Sequence, residues 1–215
     1  MPDMPEVAPH SLRRNLIVFP IARLISWLIV GTFGWPRIVG AYRVPRKGPI
    51  LVLPNHRADV DPMAVQLACP RNLHFMAKSE LFEIKVLGRL LRWAGAFPVK
   101  RGEPDRGALR HAAEELKLGE AVCVFPEGQL TETGLVQTAK AGVTLIMRLA
   151  PCPVICLGIQ NTDRIIPYGK LLPRPSSKRV VLTWGEPRTF PRETPTDEIL
   201  AWIEGQLREL TDETF

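Results

Sequence analysis

From residue 49 onward the chain alternates short apolar runs with longer stretches of helical spacing, and that alternation leaves few folds open. The strand-like runs are Ile50–Leu53, Leu73–Met76, Ala96–Val99, Ala121–Phe125, Val154–Ile159 and Val180–Trp184. Between them, Glu80–Trp93 carries Leu81, Ile84, Leu87, Leu90 and Leu91 at helical spacing. Asp105–Leu118 carries Ala108, Leu109, Ala112, Ala113 and Leu116, and Gly119 is placed to end it. Val136–Leu149 reads as a less regular helix, and Thr196–Leu210 sets Ile199, Ile203 and Leu207 on one face. Such alternation argues for an α/β fold with a mixed, largely parallel sheet covered by helices. A chain of 215 residues suffices for one well-buried domain of this kind and a short extension. Functional groups in such folds gather where the strands end.

Two polar strings fall at those ends. Pro49-Ile50-Leu51-Val52-Leu53-Pro54 reads as a buried strand and runs into Asn55-His56-Arg57-Ala58-Asp59-Val60-Asp61-Pro62. Asp61-Pro62 is a favoured helix start, with Asp as N-cap and Pro at the first helical position. His56 therefore stands on a strand-to-helix turn with a carboxylate five residues on, where a general base and its orienting partner can sit. Capping a helix is an equally sufficient task for Asp61 on this string alone. The second string, Phe125-Pro126-Glu127-Gly128, follows another strand-like run.

The N-terminal segment has a different character. No acidic residue occurs between Glu6 and Asp59, whereas the same stretch holds Arg13, Arg14, Arg23, Arg37, Arg43, Arg46, Lys47 and Arg57. The net charge of +6 is thus concentrated in an N-terminal face suited to an anionic partner. Leu16 to Trp35 is almost wholly apolar, with Arg23 as its one charge. The stretch approaches the length that crosses a bilayer. Pro20, Arg23, Gly31 and Gly34 argue instead for an interfacial helix or a hairpin dipping into one leaflet, with Arg13, Arg14 and Arg37 at the headgroups. A true span and a soluble core helix are the other two readings. Residues 1–45 are expected to be a membrane-anchoring segment and 46–215 the folded domain. The expected location is the cytoplasmic face of the cell membrane, held peripherally or monotopically.

Other chemistries find little support. Cys69, Cys123, Cys152 and Cys156 lack the spacing of a metal or redox pair and read as buried thiols. His10, His56, His74 and His111 are scattered without ligand spacing, so no metal site is expected. The basic stretch is interleaved with aliphatic residues and carries no recognition module, which argues against nucleic acid.

Four segments, in order, resemble the glycerolipid acyltransferase family that acylates lysophosphatidic acid. They are His56 and Asp61 with four residues between them, Gly95-Ala-Phe-Pro-Val-Lys-Arg101-Gly102, Phe125-Pro126-Glu127-Gly128, and the apolar strand around Pro153-Val154-Ile155. Lys78 and Gly142 also match positions the family tends to keep, and the resemblance covers about residues 45–190. It implies a phospholipid-synthesising O-acyltransferase that moves a fatty acyl group from acyl-CoA or acyl-carrier protein to 1-acyl-sn-glycerol-3-phosphate, giving phosphatidic acid. No cofactor is implied, since the thioester is a co-substrate; membrane phospholipid and lysophospholipid are the implied partners. His56 is then the base and Asp61 its orienting group, with Asp59 a possible competitor. Arg101 would meet the acceptor's phosphate through its planar fork, and Glu127, Gly128 and Lys78 would line the acceptor pocket. The alternative readings are a solvated strand-end charge for Arg101 and a helix-start carboxylate for Glu127.

The chain departs from the family pattern in two places. Gln129-Leu130-Thr131 stands where the third block usually continues Thr-Arg-Ser, and Ala58 replaces a serine in the first block. The missing arginine favours a different acceptor, such as lysophosphatidylethanolamine. A non-catalytic lipid-binding protein would be expected to have lost the His-Asp pair or the second block, and both are intact.

Overall fold

The structure is a computed structural model and describes residues 19–99, 105–167, 169–170 and 172–212. Seven strands form one sheet: β1 (Arg37–Val39), β2 (Ile50–Pro54), β3 (His74–Lys78), β4 (Phe97–Val99), β5 (Ala121–Cys123), β6 (Val154–Gln160) and β7 (Val181–Trp184). Their order is β1-β7-β6-β2-β5-β3-β4. Every neighbouring pair is parallel except β6 and β7. The architecture is therefore the mixed, largely parallel α/β sheet expected from the alternation.

The helices are α1 (Phe19–Ser26), α2 (Thr32–Gly34), α3 (Asp61–Ala68), α4 (Lys85–Trp93), α5 (Arg106–Lys117), α6 (Gly142–Leu149) and α7 (Thr196–Leu210). Strand β2 is buried along its whole length and divides the core. Ile50 and Val52 point to one cluster, filled by Val30, by Ala64, Val65 and Ala68 of α3, and by Trp184. Leu51 and Leu53 point to the other, filled by α5, α6 and α7 through Ala112, Leu116, Ile146 and Ile203. Successive side chains of a strand face opposite ways, so a fully apolar strand needs helices on both faces.

Some elements depart from the sequence expectation for identifiable reasons. The segment 136–149 is helical only from Gly142. Before that, backbone N–H groups are used elsewhere: Ala139 donates to Glu204 Oε1 at 2.9 Å and Lys140 to the Pro126 carbonyl at 2.9 Å. The segment 80–93 is broken into a 3₁₀ turn, Ser79–Phe82, followed by α4. Gly88 of α4 lies so close to that turn that a Cβ would fall 2.2 Å from the Phe82 carbonyl oxygen. Gly119 does end α5, with a φ of +85° that favours glycine. Its N–H donates to Leu116 and that of Glu120 to Glu115, which closes the last turn.

The apolar N-terminal stretch is helical and docked. α1 continues through a π turn, Trp27–Gly31, into α2. Phe19, Ser26, Val30 and Gly34 form its buried side. Gly34 packs so tightly that a Cβ would stand 2.6 Å from Ile165 and 2.7 Å from Val180. The opposite side leaves Ile21, Leu24, Ile25, Trp27 and Leu28 exposed. No described helix is long and apolar enough to cross a membrane, so the reading as a true span finds no support there. Arg13 and Arg14 lie outside the described residues. Arg37 and Ile38, which fall within the expected anchoring segment, are part of edge strand β1, paired with β7.

Candidate active site

The site begins where β2 stops. Pro54 cannot donate to the sheet, and Asn55 takes over the pairing with its side chain. Asn55 Nδ2 donates to the Ile159 carbonyl at 3.0 Å, and Asn55 Oδ1 accepts from the Ile159 N–H at 2.7 Å. The amide thus stands in for a peptide group and ties the turn to β6. This fixes the backbone of the next residue, His56.

His56 is 4% exposed, and its ring is stacked on Phe125 with centroids 3.9 Å apart. Nδ1 lies 2.9 Å from Oδ2 of the fully buried Asp61. A carboxylate can only accept, so Nδ1 carries the proton and Nε2 of the neutral ring keeps its lone pair. Asp61 Oδ2 also accepts from the N–H groups of Arg57 at 2.5 Å and Ala58 at 2.8 Å. Three donors therefore converge on one oxygen, and the carboxylate is held in place from both sides of the turn.

Asp61 is the first residue of α3 and not its cap; Val60 occupies that position and makes no side-chain cap. Pro62 follows inside the first turn, where its missing N–H costs nothing. The expected capping role is thus replaced by a carboxylate turned back into the loop toward His56. Asp59 is exposed, whereas Asp61 is buried against His56.

The second string meets the first directly. The His56 N–H donates to Glu127 Oε1 at 3.3 Å, and the Thr131 N–H donates to the His56 carbonyl at 2.9 Å. Glu127 is almost fully buried and sits in a turn after β5, not at a helix start. Gly128 has a φ of +70°, a conformation that suits glycine. His56 and Glu127 thus come together at the C-terminal edges of the neighbouring strands β2 and β5, as the fold leads one to expect. Lys78 ends β3, the strand beyond β5, and pairs with Glu80 at 3.5 Å while remaining partly exposed. Arg101 lies outside the described residues.

These segments fall within residues 36–160, which match the sequence model of the family described as Acyltransferase. The chain belongs to the acyltransferase family. Among its relatives is a 1-acyl-sn-glycerol-3-phosphate acyltransferase of Bacillus subtilis, 27% identical over 161 residues, covering 74% of this chain and 77% of that one. Another enzyme of that name, from Streptococcus pneumoniae, is 32% identical over 185 residues, covering 83% of this chain and 62% of its own. In three dimensions the chain superposes on the crystal structure of the 1-acyl-sn-glycerophosphate (LPA) acyltransferase of Thermotoga maritima with a TM-score of 0.77. That match covers 91% of this chain and 77% of the other at 24% identity, and it speaks for a shared fold.

Two residues beside this candidate site escape a reading of the sequence alone. Asn55 lies in the first string, but its clamp on Ile159 depends on how β2 meets β6. Lys140 is the other. Its Nζ would stand 2.9 Å from a Cβ placed on Gly128, so the ammonium lies over the Glu127-Gly128 turn. The backbone bond from Lys140 to Pro126 brings it there from twelve residues downstream. The four cysteines are free and buried, and burial pushes the Cys69 and Cys152 thiols up to about 11. Thiols so held are poor nucleophiles at neutral pH.

Proposed function

We propose that the chain transfers a fatty acyl group from a thioester, acyl-CoA or acyl-carrier protein, to the free hydroxyl of 1-acyl-sn-glycerol-3-phosphate. The observation that carries this is the His56–Asp61 pair, with Nδ1 to Oδ2 at 2.9 Å and Asp61 locked by two further N–H donors. In this reading Nε2 of His56 removes the proton from the acceptor hydroxyl as its oxygen attacks the thioester carbonyl. Asp61 keeps the proton on Nδ1 and stabilises the imidazolium that forms. The C–S bond then breaks, and the departing thiolate takes the proton from Nε2. The alcohol is itself the nucleophile, so no serine or cysteine is needed, in keeping with the buried thiols.

The acceptor's phosphate needs cations beside this base. Lys140, over Gly128, is one such group in the described site, and Arg101 is assigned the same role by family resemblance, with Lys78 a further substrate-binding position. The outward face of residues 19–34 supports a segment, 1–45 as a whole, that rests on the membrane surface where the acceptor resides. A second reading replaces the acceptor with lysophosphatidylethanolamine or a similar lipid; it rests on Leu130, which cannot provide the charge of an arginine.

The test is thiol release from oleoyl-CoA and from acyl-carrier protein by the detergent-purified chain. Lysophosphatidic acid, lysophosphatidylethanolamine or no acceptor would be supplied, each repeated with His56→Ala. Acceptor-dependent release that collapses in the variant is expected. Release without acceptor would mark a thioesterase, and none at all from folded protein would leave a non-catalytic lipid binder.

A further inference from the structure

Helix α4 is a second place where apolar side chains stand in water. Val86 and Leu90, four residues apart, are 72% and 54% exposed, and Ile84 just before the helix is 55% exposed. Lys85, Arg89 and Arg92 recur at a spacing of four and three, so they form a cationic stripe along the same helix beside the apolar one. From Ile84 to Gly102 the sequence has Lys85, Arg89, Arg92, Lys100 and Arg101 and no acidic residue. Glu80 and Glu83 precede the helix, where its dipole favours negative charge, and Glu80 is paired with Lys78.

Among the described residues the helix is tethered but not covered. Its anchor is the Ser79–Phe82 turn: Gly88 abuts the Phe82 backbone, and the Arg92 guanidinium lies 5.6 Å from the centre of the Phe82 ring. That same turn leads straight from Lys78, the last residue of β3. α4 therefore departs from the sheet edge that carries His56 and Glu127, yet belongs to neither buried cluster.

We infer that α4 is a second docking element for an anionic lipid surface, separate from the helix of residues 19–34. Val86, Leu90 and Ile84 enter the boundary between headgroups and acyl chains, and Lys85, Arg89 and Arg92 meet lipid phosphates. Charge selects this occupant: an unbroken basic stripe adjoining an unbroken aliphatic one fits a surface that is negative outside and apolar just beneath. Together with residues 19–34, α4 gives the molecule two separate lipid contacts, which fixes an orientation that one contact leaves free to pivot. The inference does not depend on which acceptor is used or on turnover.

The native cysteines are buried with raised pKa values, so a thiol-reactive fluorophore reports selectively on one introduced thiol. Leu90→Cys and, as a control at the opposite end of the sheet, Leu118→Cys would each be labelled in the full-length chain with a polarity-sensitive dye. Both would be mixed with phosphatidylglycerol vesicles, phosphatidylcholine vesicles or acyl-carrier protein. The expected result is a blue shift and quenching by brominated lipid at position 90 with phosphatidylglycerol, neither at position 118, and loss of the shift on adding Lys85→Glu and Arg89→Glu. No shift at position 90 while the protein co-sediments with vesicles would overturn the inference, as would a shift with carrier protein and not with vesicles. Acyl transfer by labelled protein in detergent micelles reads the proposed chemistry separately, so the two failures are told apart.

Discussion

The turn after β2 and the helix of residues 19–34 treat their side chains in opposite ways. At the turn, polar groups are buried and tied down: Asn55 to Ile159, Asp61 to three donors, His56 to Asp61 and Phe125. Along the helix, apolar groups are left outside, with Trp27 57% and Leu24 56% exposed. Buried polar groups are tolerated only when satisfied, and exposed apolar groups signal a surface awaiting a partner. In the first region the bonds converge on Oδ2 of Asp61, with Oδ1 buried and unpartnered among the described residues, and the arrangement serves to place one lone pair. The second leaves an apolar face exposed in the isolated chain. Changes at the turn should therefore act on the chemical step in any medium, and changes on the outer helix face should act only where a bilayer is present.

The sharpest break of that contrast is His56→Ala. It is expected to lower kcat about 10³–10⁴-fold, the upper part of what a positioned base contributes. The midpoint of thermal unfolding should also fall, because the buried Asp61 carboxylate loses a donor and the Phe125 ring its stacking partner, and the kcat loss should be equal in micelles and vesicles. Asp61→Asn comes next, with a fall of about 10²–10³-fold in kcat. It should also cost roughly 1–3 kcal/mol in denaturant unfolding, because the amide no longer serves all three donors. Retained activity in Asp61→Asn would show that His56 does not need its partner.

Gly34→Ala tests how firmly the outer helix is held to the body. The added Cβ collides with Ile165 and Val180, and a loss of about 1–3 kcal/mol is expected, read as a lowered midpoint of thermal unfolding. The paired change Trp27→Ser with Leu28→Ser sharpens the comparison from the other side. Stability and micellar activity should hold while vesicle activity drops at least roughly tenfold, since full burial of a large apolar side chain contributes about 1.5–3 kcal/mol and each of these two is already about half covered. Equal loss in both media would make that face structural. The smallest effect is Lys140→Ala, expected to raise KM for lysophosphatidic acid about tenfold at nearly constant kcat, with Lys140→Arg restoring it.

What the sequence made legible follows the same division. β2 and α7 were readable because burial on both faces gives an unbroken apolar run and burial on one face gives a clean helical period. His56 and Glu127 were readable because each lies just past the end of a strand in a largely parallel sheet, and Asp61 because Asp-Pro marks a helix start. β1 was not, since Arg37 and Ile38 are exposed and the strand exists only by pairing with β7 from the far end of the chain. Lys140 was hidden because its approach to Gly128 is made by a backbone bond between loops, which leaves no periodic trace. The helix expected over 136–149 failed over its first six residues for the same reason, the backbone there being spent on bonds to other loops. Arg101, assigned by resemblance alone, gains nothing further from the described residues.

The close fit of Gly34 against Ile165 and Val180 has a consequence for how the protein is made. Synthesis proceeds from the N-terminus, so the apolar helix is present long before the residues that will hold its inner side have been added. β1 likewise waits for Val181, Leu182 and Thr183 before it can join the sheet. During that interval α3 can already meet the inner side of the helix, whereas Gly34 still lacks the side chains that later close on it. The apolar helix thus exists before the fold is finished, and final closure of the sheet determines which of its sides is covered and which stays exposed.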